Sequence, residues 1–381
     1  MYGTLLEYFP GEYRWSEGLR LALTAAPYGG SEIGEIDIVG RRLMKQIGDD
    51  GAWYKEWKNM GMHVESLGKI AEGEGHGLTA AGRYLRACNY YQIGERFRQP
   101  KDQEALQTFR RSVSCFKKAA ELLDWPSIEY VEVPFEDSSM PAYFVTNKKE
   151  GRNPVVVYFD GLDSNKELLY FSIVPDIVKR GIACLIVDSP GNGESIRFRG
   201  MTLRPDYEKP ASAALDYLQT RPDVDVDRAC LLGISLGGYY APRAVAFEKR
   251  YKACVAWGAI YDYHEIWKNR IEKSFEAALS SPGEQIKWIL GVDSYEDALR
   301  LLEDYKLEEI AKEIECKVCI VHGEEDKQIP LKEAQRLFDA VGSKEKTLKI
   351  FTSKEGGAEH CQGDNRTFAR TYISDWIADN I

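Results

Sequence analysis

The chain has 381 residues, of which 44% are hydrophobic and 29% are charged, as is ordinary for a soluble globular protein. This composition excludes a disordered, collagen-like or coiled-coil class, and the length allows one large domain with an added module. The formal net charge of −10 argues against a nucleic-acid partner, because phosphate contacts require clustered Lys and Arg side chains.

Residues 1–125 carry helical patterning and almost no strand signal. The segment 80–124 places apolar and aromatic residues at spacings of three and four, and the following Trp125-Pro126 ends it. We predict a helical N-terminal cap or lid domain over 1–125, followed by a second domain over 126–381. The aromatic residues of the first domain are interpreted mainly as core, although they also suit one wall of a pocket for a flat ligand: Trp53, Tyr84, Tyr90 and Tyr91.

The pattern changes after residue 126. Two alternating segments, 128–135 and 140–146, indicate an antiparallel pair at a sheet edge. Continuous apolar runs then alternate with helical segments, which predicts a parallel sheet covered on both faces. The runs are 155–159, 183–187, 229–232, 253–257, 318–321 and 348–351. The long connection 261–315 has helical patterning, and we predict that it is a lid insertion over the carboxyl ends of the strands.

No apolar stretch reaches the ~18–20 residues that span a bilayer, and the first residues lack the pattern of a secretory signal. The eight cysteines are scattered. Cys316 and Cys319 form a C-x-x-C within a strand, where residues three apart face opposite sides, and this disfavours a shared metal ion or disulfide. We therefore expect a reduced, cytoplasmic protein with no membrane partner and no metal.

The segment Gly233-Ile234-Ser235-Leu236-Gly237 follows an apolar run and precedes a helical stretch. This is the strand–turn–helix context of a nucleophile elbow, in which a strained serine presents its hydroxyl at a helix N-terminus. We predict that Ser235 is a nucleophile and that the chain has the α/β-hydrolase fold.

A serine hydroxyl needs a base, and the base needs an orienting carboxylate. His360 lies in a Gly-rich loop after the last predicted strand, and Asp326 follows the strand 318–321. The order Ser235, Asp326, His360 is the order expected for this fold. Glu324 and Glu325 are competitors for the carboxylate role, and we predict a structural hydrogen bond for His322.

The oxyanion hole is expected to combine the backbone N–H of Leu236 with that of Leu162, in the loop after 155–159. Asp160 stands in this loop where many relatives have histidine. The candidate substrate-binding residues are Asp163 in the same loop and Asp262 and His264 in the lid segment.

Together these segments resemble the carbon–carbon-bond hydrolase branch of the α/β-hydrolases, which includes 2,6-dihydroxypseudooxynicotine hydrolase and the fungal melanin-pathway polyketide-shortening hydrolases. The motifs are 160–167 (DGLDSNKE), 188–195, 233–238 (GISLGG), 322–326 and 356–361, with 53–57 and 84–91 in the helical segment. The resemblance implies a serine hydrolase that cleaves next to a carbonyl in a polyketide or aromatic β-diketone, without a cofactor. A lid glutamate assists the leaving group in the nicotine-pathway enzyme, and here Asp262, Glu265 and Glu272 are the candidates.

Three alternatives stay open at this point. The same triad serves an esterase, lactonase or thioesterase, and it also serves a cyclase or acyltransferase of secondary metabolism. A catalytically silent binding protein of the same fold is a further alternative, which the complete set of Ser, Asp and His disfavours. The expected partner is a small ketonic or acyl molecule, whose identity depends on the lid and pocket rather than on the triad. The helical N-terminal segment suits a lid, a dimer surface or both, so a homodimer is possible.

Overall fold

The computed structural model describes residues 6–147, 151–162, 164–273 and 280–381. Within these ranges the chain forms a helical segment followed by one mostly parallel sheet with helices on both faces. The strands are β1 (Ser127–Phe135), β2 (Ser138–Thr146), β3 (Asn153–Phe159), β4 (Ala183–Val187), β5 (Val224–Ile234), β6 (Ala253–Trp257), β7 (Lys317–Gly323) and β8 (Lys346–Phe351). Each of the eight predicted strands is therefore present.

The sheet order is β1-β2-β4-β3-β5-β6-β7-β8. Strands β1, β2 and β4 pair antiparallel in that order, and all later neighbours pair parallel. The chain therefore winds in both directions from β3, and ligands in such sheets bind beyond the carboxyl ends at the point where the direction reverses. Because Phe159 at the end of β3 pairs with Gly233 near the end of β5, the loops that follow these two strands are neighbours.

The helices account for most of the remaining described chain. They are α1 (Tyr13–Thr24), α2 (Ile33–Leu43), α3 (Asp50–Gly73), α4 (Gly77–Arg96), α5 (Gln103–Leu122), α6 (Lys166–Ser172), α7 (Val174–Lys179), α8 (Gly193–Arg199), α9 (Glu208–Gln219), α10 (Gly237–Phe247), α11 (Tyr263–Glu272), α12 (Gln285–Leu290), α13 (Tyr295–Leu302), α14 (Leu331–Ala340) and α15 (Arg366–Asn380). Side-chain caps begin several of them. Asp49, for example, accepts hydrogen bonds from the backbone of Gly51 and Ala52 at the start of α3.

The sheet separates two hydrophobic cores. Val156 and Tyr158 of β3 face one core, and Val155 and Val157 face the other, as the two-residue period of a strand requires. The first core also contains the buried side chains of α1 to α5 and of α15. The helical segment thus shares its core with one face of the sheet, and a boundary between two domains near residue 125 stays a prediction.

Aromatic side chains fill the helical segment. Trp53 contacts Trp15, Trp57 and Phe97, with ring centroids 5.1, 5.6 and 4.9 Å apart, and its indole N–H donates to the carbonyl of Ile93 at 2.7 Å. The other aromatic residues singled out in the sequence are fully buried as well: Tyr84, Tyr90 and Tyr91. These residues form the core of the segment, as the sequence predicted.

The connection between β6 and β7 contains α11, α12 and α13 within its described residues, and its strand-like contact there is an isolated bridge between Asp262 and Lys306. Its helices pack on the second core, through residues such as Trp267 and Ile289. Arg270, Ser280 and Ser281 of this connection approach Ser235, which places it over the carboxyl ends of the strands.

Candidate active site

Ser235 lies in a tight turn between β5 and α10 and has a φ of +57°. This left-handed conformation is uncommon for a residue with a side chain and is retained only where its surroundings impose it. Gly233 shows how tight the turn is, since a Cβ there would lie 2.0 Å from the carbonyl oxygen of Gly237. The two glycines of the motif therefore let the turn close and present the Ser235 hydroxyl at the N-terminus of α10.

Ser235, His360 and Asp326 form a continuous hydrogen-bonded chain. His360 Nε2 lies 2.9 Å from Ser235 Oγ, and His360 Nδ1 lies 2.7 Å from Asp326 Oδ2. The other carboxylate oxygen, Oδ1, accepts hydrogen bonds from the backbone N–H groups of Gln328 and Ile329, both at 2.8 Å. The structure thus brings together the three residues that the sequence placed at the ends of β5, β7 and β8.

Charge–charge interactions shift the pKa values of His360 and Asp326, the two ionisable residues of this hydrogen-bonded chain. Burial acts to lower the pKa of His360, but the carboxylate of Asp326, together with Cys361, raises that pKa above the ordinary histidine value. Burial acts in the opposite direction on Asp326, and the nearby imidazoles of His360 and His322 with the backbone donors hold its pKa below the usual range. The pair therefore favours an ionised carboxylate and a basic imidazole.

The neighbouring acids and His322 have other partners. Glu324 is exposed and accepts hydrogen bonds from the backbone and hydroxyl of Ser353, at 2.5 and 2.7 Å. His322 is buried, and its Nε2 lies 2.9 Å from the carbonyl oxygen of Ile329. Of the acids considered, Asp326 is the one hydrogen-bonded to His360.

The loop after β3 lies against Ser235. Gly161 accepts a hydrogen bond from Asn192 Nδ2 at 2.5 Å, and its own N–H donates to Asp160 Oδ1 at 2.6 Å. Since this N–H is already engaged, Leu162 is the better second donor for an oxyanion. Leu162, Ser235 and Leu236 line one small cavity, and the roles of Leu162 and Leu236 in an oxyanion hole stay predictions.

A second, larger cavity also adjoins Ser235. Both Ser235 and His360 line it, and α1 contributes one wall through Glu17, Arg20, Leu21 and Thr24. Arg96, Arg366 and Cys361 also line it, and the thiol sulfur of Cys361 lies 3.5 Å from His360 Nε2. No local sequence pattern indicated Arg20, Arg96 or Arg366, because each is distant in the chain from Ser235.

The structure places the predicted substrate-binding residues differently from one another. Asp163 lies outside the described residues. Asp262 caps α11, where its carboxylate accepts a hydrogen bond from the backbone N–H of Glu265 at 2.9 Å. Neither Asp262 nor His264 is among the described residues that line the two cavities at Ser235. Their contact with a substrate stays a prediction.

Glu265 and Glu272 of the predicted lid are also not among the described residues that line the two cavities. Glu265 pairs with Lys332 and Arg336 at 2.5 and 2.9 Å and is part of the surface. The charged residue of this connection that lines a cavity with Ser235 among the described residues is Arg270, which is 6% exposed and donates to the carbonyl of Gln328 at 2.7 Å.

Within the described ranges, no group of three or more His, Cys, Asp or Glu side chains is arranged to hold a metal ion.

Among the helices that the structure describes, none is long and apolar enough to cross a bilayer.

Comparison with known proteins agrees with this architecture. Residues 44–275 match the family model described as Esterase FrsA-like. The chain is 28% identical over 403 residues to hydrolase acrC of Aspergillus aculeatus, with 93% of each chain covered. It is 30% identical over 389 residues to 20-hydroxy-prefusarin hydrolase FUS2 of Gibberella moniliformis, with 92% of each covered.

A solved structure gives the same result for the fold. The crystal structure of 2,6-dihydroxy-pseudo-oxynicotine hydrolase superposes with a TM-score of 0.78 at 26% identity and covers 94% of this chain and 95% of its own. The sheet, the helices on both faces and the helical segment thus define an α/β-hydrolase. Within that class, the chain belongs to the FrsA-like esterase family.

Proposed function

We propose that this protein is a serine-dependent hydrolase that cleaves a carbon–carbon bond next to a carbonyl in a polyketide or aromatic β-diketone-type substrate. The observation that carries the proposal is the hydrogen-bonded chain from Asp326 through His360 to Ser235, on an elbow where Ser235 has a φ of +57°. A base and an oriented carboxylate within hydrogen-bond reach are what a serine nucleophile requires.

The substrate class is supported by similarity along most of the chain. Two proteins similar to it over more than 90% of their length are hydrolases named for their substrates, 20-hydroxy-prefusarin and 2,6-dihydroxy-pseudo-oxynicotine. These alignments include the helical N-terminal segment, whose helix α1 lines the larger cavity at Ser235. The similarity therefore extends to the part of the chain that shapes the cavity, and not only to the elbow.

In the first step, His360 Nε2 accepts the proton of Ser235 Oγ across 2.9 Å, and Oγ attacks the carbonyl carbon. The carbonyl oxygen becomes an oxyanion, which we place against the backbone N–H groups of Leu236 and Leu162. The N-terminus of α10 favours the same negative charge. Asp326 stabilises the imidazolium that forms.

In the second step, the tetrahedral intermediate reforms its carbonyl and breaks the carbon–carbon bond. The electron pair of that bond passes to the leaving carbon, which becomes the enolate of the second ketone and takes the proton held on His360. Water then hydrolyses the acyl-enzyme, again with His360 as the base. The balance is one water consumed, with one carboxylic acid and one ketone released. A water activated directly by His360 gives the same products.

An esterase or thioesterase is the second candidate, and the family description is the observation that favours it. The same three residues would act in the same order, but the leaving group would be an alkoxide or thiolate. Such a group leaves far more readily than a carbanion, so the esterase reaction makes smaller demands on the site.

The test uses purified protein with an aromatic β-diketone and, separately, with p-nitrophenyl acetate, both followed by mass spectrometry. We expect the diketone to be cleaved with the gain of one water. Ser235→Ala and His360→Ala should each abolish cleavage. Ser114→Ala and His63→Ala are matched controls, because both residues are exposed on helices of the N-terminal segment.

Each other outcome has a defined meaning. Turnover of the ester alone would replace the carbon–carbon proposal by the esterase, and a product formed without added water would indicate cyclisation or acyl transfer. Full activity in both Ser235→Ala and His360→Ala would refute the proposed mechanism itself.

A further inference from the structure

Helix α1 carries a buried guanidinium into the cavity that holds Ser235 and His360. Arg20 lines this cavity and is 4% exposed. It pairs through Nη2 with Glu17, one turn earlier on the same helix. Its Nη1 is buried and has no hydrogen-bond partner within the described part of the chain. A buried charged donor without an acceptor is costly, so an acceptor group on a substrate would satisfy this atom.

A second guanidinium reaches the same cavity from the other end of the chain. Arg366 opens α15, and its guanidinium carbon lies 5.8 Å from the ring centroid of Trp257. Its Nε is also buried without an acceptor among the described residues. Burial, together with the positive charges of Arg370 and Arg20, lowers the pKa of Arg366. Arg20 and Arg366 therefore line the same cavity, where the charge of Arg20 disfavours that of Arg366.

Among the described residues that line the cavity, the carboxylates are Glu17, which pairs with Arg20, and Asp160, which accepts the N–H of Gly161. Glu359, Asp364 and Asp326 act on Arg20 from outside this lining. Arg96 adds a third guanidinium to the lining. In a chain with a formal net charge of −10, the guanidinium groups thus outnumber the carboxylates among the described lining residues beside the proposed nucleophile. Positive charge in a partly dehydrated cleft attracts anions and strengthens their hydrogen bonds.

We propose that Arg20 and Arg366 form a subsite for an anionic oxygen group of the substrate, either a carboxylate or the enolate of a 1,3-diketone. The inference rests on the proposed function in placing this group on the molecule that Ser235 attacks. Guanidinium groups suit such ligands, because their N–H donors match the paired oxygens of a carboxylate or an enolised diketone. The arginines then stabilise the enolate as the carbon–carbon bond breaks, a task for which the lid carboxylate Glu265 is badly placed.

The test measures binding rather than turnover. In the Ser235→Ala variant, isothermal titration calorimetry compares 4-phenylbutanoate with its neutral isostere 4-phenylbutanamide at the same pH. We expect the carboxylate to bind more tightly by about ten- to a hundredfold, the range of one or two charged hydrogen bonds. Adding Arg20→Gln should remove most of this difference in affinity between the carboxylate and the amide. Arg20→Lys should restore part of the difference.

Arg370→Gln is the matched control, because Arg370 is 3% exposed on the same helix as Arg366 but does not line the cavity. It should keep the ratio. Equal affinity of the two ligands for Ser235→Ala, in which both arginines are intact, overturns the inference whatever the folding of the arginine variants. A ratio that persists in Arg20→Gln overturns the assignment to Arg20.

The two anion sources are separated with 1-phenylbutane-1,3-dione, whose enolate has its own ultraviolet absorption. At a pH below the solution pKa of the diketone, binding to Ser235→Ala should increase the absorption band of the enolate if the subsite binds enolates. A carboxylate preference without this band restricts the subsite to carboxylic acids. Neither readout needs cleavage, so a failure of the carbon–carbon proposal leaves this inference testable, and the reverse is also true.

Discussion

Gly161 and Ser235 lie in contact across the carboxyl ends of β3 and β5. A Cβ on Gly161 would lie 2.9 Å from the Cβ of Ser235 and 3.3 Å from its hydroxyl oxygen. The loop that we expect to supply an oxyanion donor thus approaches the proposed nucleophile as closely as a residue without a side chain permits.

Gly161→Ala should therefore lower kcat by about 100- to 1000-fold, the usual cost of losing one oxyanion donor, because the added methyl displaces the loop. Steady-state kinetics with circular dichroism as a folding check would measure this. Gly82→Ala is the control, since a Cβ at Gly82 meets no atom within 4 Å. Loss of activity in both variants would contradict the explanation.

Asp326→Asn should lower kcat by about 10⁴-fold, as the loss of the orienting carboxylate does in serine proteases. It should also move the acid limb of the pH–rate profile to lower pH. The base must be unprotonated to act, so activity rises with pH through the pKa of His360. The Asp326 carboxylate raises that pKa, and its neutralisation brings the pKa down.

The profile of kcat/KM against pH would show the shift. Glu324→Gln should leave kcat within about twofold and the pH profile unchanged, because Glu324 is exposed and hydrogen-bonded to Ser353. An acid limb that stays in place in Asp326→Asn would mean that another group than His360 controls it.

Lys166→Met should destabilise the protein by about 3–5 kcal/mol, because it leaves buried carboxylates without their counter-ion. Lys166 is fully buried, with its Nζ 2.7, 2.7 and 2.9 Å from Asp188, Glu194 and Glu167. Urea unfolding would give the change. Lys118→Met, at a surface pair with Glu72, should cost less than about 1 kcal/mol. Similar midpoints for the two variants would show that the buried cluster does not need its lysine.

Trp53→Ala should destabilise the helical segment by about 3–5 kcal/mol through the cavity it leaves. The Trp53 side chain is 0% exposed and contacts four other aromatic rings. Thermal unfolding would compare it with Trp125→Ala, at a position 42% exposed, where the effect should stay near 0.5 kcal/mol. An unchanged melting temperature for Trp53→Ala would argue against a continuous core.

The sequence predicted the strands well because each buried strand is an uninterrupted apolar run with a Gly-containing end. The early part of β5 was missed, since Val224–Arg228 contains alternating Asp residues and only its later half is fully buried. The sheet order depends on pairings between segments far apart in the chain, and no local pattern encodes it.

For the site, the sequence predicted the residues whose roles depend on a local turn. The elbow requires glycines around Ser235, and the ends of β7 and β8 limit the positions of Asp326 and His360. Arg20 has no such signature, because its place beside Ser235 depends on how α1 packs on the sheet. Asp262 is near the site in sequence and caps α11, and its contact with a substrate stays a prediction.

The larger cavity is lined by residues that are far apart in the sequence, such as Arg20 and Arg366. This separation has a consequence for how the site forms during synthesis of the chain. Chains are made from the N-terminus, and their early elements are free to fold first. Helix α1, which forms one wall of the cavity, leaves the ribosome early, whereas the proposed base, His360, leaves it only after β1 to β8. A nascent chain in which His360 has not yet left the ribosome should therefore be inactive, and the appearance of activity would report that the cavity has formed.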